Sequence, residues 1–236
     1  LKPDQIKHFE EEKEINISFG VRDVGNFRVN MFWQRGTIAI VVRFIQGEIP
    51  QLDELGMPSV LTDVIMEKRG LVLVVGSTGS GKSTTLAAMI DHRNANKSGH
   101  ILTVEDPIEY LFKHKKSVVN QREIGLDTKA WENALKNAMR QAPDCILIGE
   151  IRDREAMAAA ALAYAQTGHL CLATLHANNS YHALNRIINF YALENRPALF
   201  LDLSVSLKCI ISQRLVRKPD GKRFPAVEIL LNTRHI

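Results

Sequence analysis

Cysteine is scarce in this chain of 236 residues: Cys145, Cys171 and Cys209 stand far apart, each inside an apolar segment. They offer neither a disulfide framework nor a pair at metal-ligand spacing, which suits a reducing compartment. A long uninterrupted apolar run is also missing. The longest, Pro197 to Leu215, is broken by Asp202, Lys208 and Arg214, and its spacing at Leu199, Leu203, Leu207 and Ile210 predicts a core helix rather than a membrane span. Charge of one sign is not in strong excess. A net charge of +4 falls short of a nucleic-acid signature, so no nucleic-acid partner is expected. Internal repeats and low-complexity tracts are absent. With 45% hydrophobic and 24% charged residues, disorder is excluded and one large core plus a smaller unit is expected. No secretory leader is visible, and Leu1 is not an initiating residue, so the chain is expected to be a piece of a longer protein.

What is present changes character along the chain. Residues 4–14 predict a polar helix whose acidic run is a solvated face. Alternating apolar residues then predict an antiparallel meander: Ile15 to Val21, Phe27 to Trp33 and Ile38 to Phe44, with turns at Gly25-Asn26 and Gln34-Arg35-Gly36. Gly47 to Pro58 reads as a linker region. From Ser59 helices alternate with apolar strands, which predicts a mostly parallel α/β sheet with helices on both faces. Strands are expected at 71–75, 101–104, 145–148 and 170–174. Helices are expected near 59–68, 83–94, 130–141, 154–166, 181–189 and 197–215, and a hairpin from Lys218 to Asn232 turning at Asp220-Gly221.

The strongest chemical signal is LVLVV followed by Gly76-Ser77-Thr78-Gly79-Ser80-Gly81-Lys82-Ser83-Thr84. This is a P-loop: three glycines let backbone N–H groups turn around a phosphate, Lys82 reaches the β/γ-phosphates, and the Ser83 hydroxyl holds Mg²⁺ at a helix start. A chance match in a chain of this length is roughly a one-in-a-hundred event. ATP and Mg²⁺ are the expected ligands.

In open parallel sheets ligands sit at the carboxyl ends of strands. Three further apolar runs end in chemistry: ILTV in Glu105, CILI in Gly149-Glu150, and LCLATL in His176. Glu150 follows a strand as the second half of an ATPase site does, acting through the metal or on the attacking water; a helix cap is the plainer alternative, which suits Asp153 better. Gly149 is expected to let the backbone approach the phosphates. Glu105 could polarise water, and spacing does not rank it against Glu150. His176 could donate to the γ-phosphate or be merely structural. In the meander Phe27, Val29, Met31 and Trp33 share one face, which leaves Arg28 and Asn30 on the other, and Arg43 opposes Val42 and Phe44. Such arginines either guard an edge or reach a neighbouring subunit's ATP, a contribution of about 10³–10⁵ in rate.

Taken in order, GSTGSGKSTT, ILTVEDPIEY, CILIGEIRDRE and TGHLCLATLHANNS resemble the Walker A, Asp box, Walker B and His box of the secretion-ATPase superfamily. The resemblance implies a RecA-like P-loop NTPase domain preceded by the end of a PAS-like antiparallel β domain. It divides the chain into 1–49, a linker at 50–58, and 59–236 without the family's C-terminal helices. It also implies that Glu105, Glu150 and His176, with Arg28 and Arg43, are the catalytic set of a hexameric, cytoplasmic motor peripheral to the inner membrane. Secretion and pilus-extension members carry a zinc site of two C-x-x-C pairs, whereas Asn178 to Ile236 holds only Cys209, so zinc is not expected. This points to the type IV pilus retraction branch, PilT-like or PilU-like, with RVNMFWQRGTIAIVVRFI closer to PilU-like wording. A pilus platform protein of the inner membrane and a sister retraction ATPase are the implied partners. A secretion or assembly ATPase and an accessory nucleotide-binding subunit remain the alternatives.

Overall fold

The structure is a computed structural model, and it describes residues 1–22, 24–45, 47–151 and 155–233. It divides into two compact units, 1–48 with 109–111, and 49–108 with 112–236.

The first unit opens with helix α1 (Pro3–Glu12), where Pro3 suits the first helical position because its missing N–H would have no partner there. Three antiparallel strands follow in the order β1 (Glu14–Val21), β2 (Gly25–Gln34), β3 (Thr37–Ile45). The two-residue turn Arg35-Gly36 has φ of 48° and 78°, the mirror-image geometry that matches strand twist in tight hairpins. Phe27 pairs with Phe19 on one side and Phe44 on the other, and Phe9, Ile15, Val29 and Ile45 are the buried apolar residues of this unit among those described.

The second unit is built on a seven-stranded sheet. Its elements are α2 (Val60–Met66), β4 (Gly70–Val75), α3 (Lys82–Asn96), β5 (Gly99–Glu105), β6 (Ser117–Glu123), α4 (Trp131–Ala138), β7 (Cys145–Ile148), α5 (Glu155–Gln166), β8 (Leu170–Leu175), α6 (Ser180–Asn189), α7 (Arg196–Ser206), β9 (Leu207–Arg217) and β10 (Arg223–Leu231). Strand order is β10-β9-β4-β8-β7-β5-β6, parallel throughout except for β9 with β10. Because side chains alternate across a strand, Val72 and Val74 of β4 pack with Leu61, Ile65, Leu86 and Ile90 of α2 and α3, while Leu71, Leu73 and Val75 pack with α4, α5 and α7 on the other face. Both faces are covered, as the α/β reading expects. Among the described residues no helix is long and apolar enough to cross a membrane.

Two expectations are corrected. The helix expected over 197–215 stops at Ser206, and the chain continues as β9. Cys209, Ile210 and Ile211 are consecutive and fully buried between β4 and β10, which a one-sided helix stripe does not provide; the 3.6-residue spacing of Leu207 and Ile210 was coincidental. The hairpin therefore turns where expected, at Asp220-Gly221, with a first strand that begins at Leu207 rather than Lys218. The edge strand β6 was missed altogether, because SVVNQRE carries too few apolar residues to alternate clearly. The cap expected at Asp153, beside Arg152 and Arg154, lies outside the described residues.

Candidate functional site

Strand β4 ends at Val75, and the chain turns through Gly76–Gly81 before α3 begins at Lys82. Gly81 precedes the helix in the left-handed region, φ 89°, and no side chain caps the helix, so its first N–H groups face the loop interior as an anion site requires. A Cβ on Gly76 would lie 2.4 Å from both the Gln213 carbonyl oxygen and Ser80 Oγ, so only glycine lets the loop close this tightly. The tip, Ser77-Thr78-Gly79, is exposed. Lys82 Nζ folds back over it and donates to the carbonyl oxygens of Gly76 at 2.9 Å and Ser77 at 3.0 Å. A cradle of glycine backbone under an ammonium group fits a polyphosphate, and the Ser83 hydroxyl at the helix start suits the oxygen-ligand preference of Mg²⁺.

The other three strand-end residues line up along the same edge. His176, just past β8, is one strand from β4; Glu150, just past β7, is two; Glu105, at the end of β5, is three, or about 14 Å at the usual strand spacing. His176 joins the nearest two parts of the site. Its Nε2 lies 2.8 Å from Glu150 Oε1 and its Nδ1 3.3 Å from the Gly76 carbonyl oxygen. Both ring nitrogens face oxygens that only accept, so a neutral ring satisfies one of them and a protonated ring both. Glu105 is held separately: Oε1 accepts from Thr103 Oγ1 at 2.6 Å and from Gln121 Nε2 at 3.4 Å, while Gln121 Oε1 accepts the Phe112 N–H at 2.9 Å.

Gly149 also has a reason within the sheet. A Cβ there would meet the Glu105 Cα and the Val104 carbonyl oxygen at 3.2 Å, so this glycine serves the close approach of β7 to β5. The turn is locked by Thr174 Oγ1 donating to the Gly149 carbonyl oxygen at 2.5 Å and by the Ile151 N–H donating to Thr174 O at 2.9 Å.

Beside the loop tip lies a cavity of about 530 Å³ lined by Ser77, Thr78, His176, Asn178, His182 and Arg186. Arg186 Nη1 donates to the His176 carbonyl oxygen at 2.9 Å. Thr103, Gln121, Arg186 and Gln213 were not singled out from sequence. Gln121 lies on the unrecognised strand β6 and Gln213 in the segment taken for a helix; Arg186 could have been found from its place on the polar face of α6, ten residues after His176. The thiols take no part: burial pushes Cys145 and Cys209 up to about 12 and raises Cys171 as well.

Arg28 and Arg43 belong to the other unit, where the register sets them directly opposite each other on neighbouring strands. Like charges so placed disfavour the sheet.

A family model described as "Type II/IV secretion system protein" matches residues 8–229. The chain belongs to this family. Within the family it is 52% identical over 234 residues to a type IV pilus ATPase PilU of Pseudomonas aeruginosa, covering 99% of this chain and 61% of that protein. It is 46% identical to PilT of the same organism, a type IV pilus retraction ATPase, covering 97% and 66%. The chain thus spans 61% and 66% of the length of these two relatives. Among solved structures, the pilus retraction motor PilT with bound ADP superposes with a TM-score of 0.95 at 47% identity, covering 99% of this chain and 68% of that one. The ATPase DotB of Legionella pneumophila gives 0.86 at 30% identity, covering 97% and 65%. The mostly parallel α/β fold with an N-terminal antiparallel sheet, expected from the sequence and from the resemblance, is the fold observed.

Proposed function

We propose that the full-length protein is a hexameric motor that hydrolyses Mg-ATP and drives type IV pilus retraction, in a PilU-like role rather than a PilT-like one. The observation that carries the reading is the chain of contacts from Lys82 through Gly76 and His176 to Glu150, which connects a phosphate loop to a carboxylate. The names of the most similar relatives support the pilus role, and the higher identity to PilU supports the finer one.

Residues Gly76 to Thr84 bind the phosphates through backbone N–H groups, with Lys82 turning from its carbonyl partners toward the anion. Ser83 and Glu150 would hold Mg²⁺, which when bound would neutralise charge on the phosphoryl oxygens. Glu105, fixed by Thr103 and Gln121, orients and polarises the attacking water. His176 shares the Gly76 carbonyl and the Glu150 carboxylate, so it transmits a change in the loop to that carboxylate. Arg28 and Arg43 reach the nucleotide of a neighbouring copy in the ring and stabilise charge on the transferred phosphoryl group, so turnover depends on assembly. The motor works at the cytoplasmic side of the inner membrane against a pilus platform protein, beside a sister retraction ATPase.

ATP binding and steady-state hydrolysis by the full-length protein test this. Lys82→Ala loses binding and at least about a hundredfold in turnover. Glu150→Gln binds ATP and turns over about 10²–10⁴-fold more slowly. Arg28→Ala and Arg43→Ala bind near normally and lose most turnover, part of which Lys82→Ala subunits restore in mixed rings. Undiminished hydrolysis in Lys82→Ala overturns the site.

A further inference from the structure

We propose that Gln213 is the positioning residue of the phosphate loop, holding its curvature from the neighbouring strand without touching the nucleotide. The proposal rests on the reading of residues 76–84 as the nucleotide site. Strand β9 runs parallel to β4 with Ser212 level with Val75, so Gln213 stands beside the first residue of the loop. It is 3% exposed. Its contacts fall at both ends of the loop. The backbone carbonyl oxygen sits 2.4 Å from where a Cβ on Gly76 would be, against the loop entry. The side-chain Nε2 sits 2.7 Å from the corresponding position on Gly81, against the loop exit. Oε1 accepts a hydrogen bond of 2.8 Å from Thr85 Oγ1, and Thr85, itself 1% exposed, closes the first turn of α3 by donating its N–H to the Gly81 carbonyl oxygen at 3.0 Å.

One residue therefore braces entry, exit and first helical turn, leaving only the tip exposed. The need for such a brace follows from Lys82. Its ammonium group ties the loop to itself through the carbonyls of Gly76 and Ser77, and it has to turn toward the anion when phosphate binds. A loop whose only tie was Lys82 would lose its shape at that moment; Gln213 makes none of its contacts through Lys82. The two residues flanking Gln213 extend the brace to the other wall of the site. Ser212 Oγ and Arg214 Nη2 both donate to the Asn178 carbonyl oxygen, at 3.2 Å and 3.1 Å, two residues past His176.

The contact is a buried polar pair, so removing one partner destabilises the fold while removing both restores it. That separates a positioning role from a merely structural one. ADP affinity by calorimetry and melting temperature are measured for wild type, Gln213→Leu, Thr85→Val, the double variant, and the isosteric Gln213→Glu. Each single apolar variant is expected to melt lower and to bind ADP about tenfold more weakly. In the double variant the melting temperature recovers and the affinity does not. Gln213→Glu keeps the shape but sets a negative charge beside the loop, and it weakens ADP far more than adenosine. Recovery of ADP affinity together with stability in the double variant, or wild-type ADP affinity in Gln213→Leu or Gln213→Glu, overturns the proposal. Lys82→Ala distinguishes the two failures: if it binds ADP as tightly as wild type, the phosphate-loop reading itself is wrong.

Discussion

Strands β4 and β3 have nearly the same composition and opposite fates. GLVLVV in β4 is buried at every position, whereas in TIAIVVRFI of β3 only Ile45 is buried, with Ile40, Val42 and Phe44 more than half exposed. Both sequences make strands because β-branched residues suit a pleated backbone. Burial has another cause. β4 is paired on both sides and covered by helices on both faces; among the described residues β3 is the outer strand of three and pairs with β2 alone. An apolar run therefore specifies extended structure and says little about how much stability it contributes. At roughly 25 cal/mol per Å² of apolar surface removed from water, the contribution follows the neighbours rather than the residues.

The largest effect should come from placing a charge in each strand. Val74→Asp puts an unpaired carboxylate in a fully buried position and should cost about 3–5 kcal/mol; Val42→Asp, 57% exposed within this stretch of chain, should cost the same stretch no more than about 0.5 kcal/mol. Denaturant unfolding of the two variants decides it, and equal losses would break the comparison. Hydrogen exchange sharpens it: β4 amides should exchange only through global unfolding, those on the open edge of β3 through local opening.

Strand β10 is an intermediate case, an edge strand pinned to a helix by one residue. Glu228 accepts hydrogen bonds from the hydroxyl of Ser180 and from its N–H at 3.1 Å, at the start of α6, and the Ser180 hydroxyl and N–H hold its carboxyl below the usual carboxylate range. A depressed carboxyl stabilises the fold fully above the unfolded value, about 4.3, and loses that contribution as pH falls through its lowered folded value. Glu228→Gln should therefore lower the melting temperature at pH 7 and flatten its fall in acid. Because the group is exposed, the shift should not exceed about 2 °C in a thermal melt. An unchanged acid profile would remove Glu228 as the pin.

Local patterns were legible where a signal is contained in a few consecutive residues. The phosphate loop, the meander with its Arg35-Gly36 turn, and the four buried strands β4, β5, β7 and β8 all depend on neighbours within one turn or one pleat. What failed was the reading of residues whose partners are distant in sequence. β6 is a strand because β5 pairs with it, and Leu207 to Arg217 is a strand because β4 lies beside it. Gln121 and Gln213 went unnoticed for the same reason, since an amide on an unrecognised strand has no periodicity to betray it.

By itself the sequence determined that an apolar strand ends in a glycine-rich phosphate loop and that carboxylates and a histidine follow later strands, because glycine conformations and strand propensity are properties of short segments. Only the tertiary structure decided their order along the sheet edge, one strand to His176, two to Glu150, three to Glu105, since strand order is set by which faces helices can cover. It also decided that His176 links Gly76 to Glu150 and that Gln213, 128 residues from Thr85, closes on the loop from outside. Hydrogen bonds act over about 3 Å, and only the packed sheet brings such residues that close.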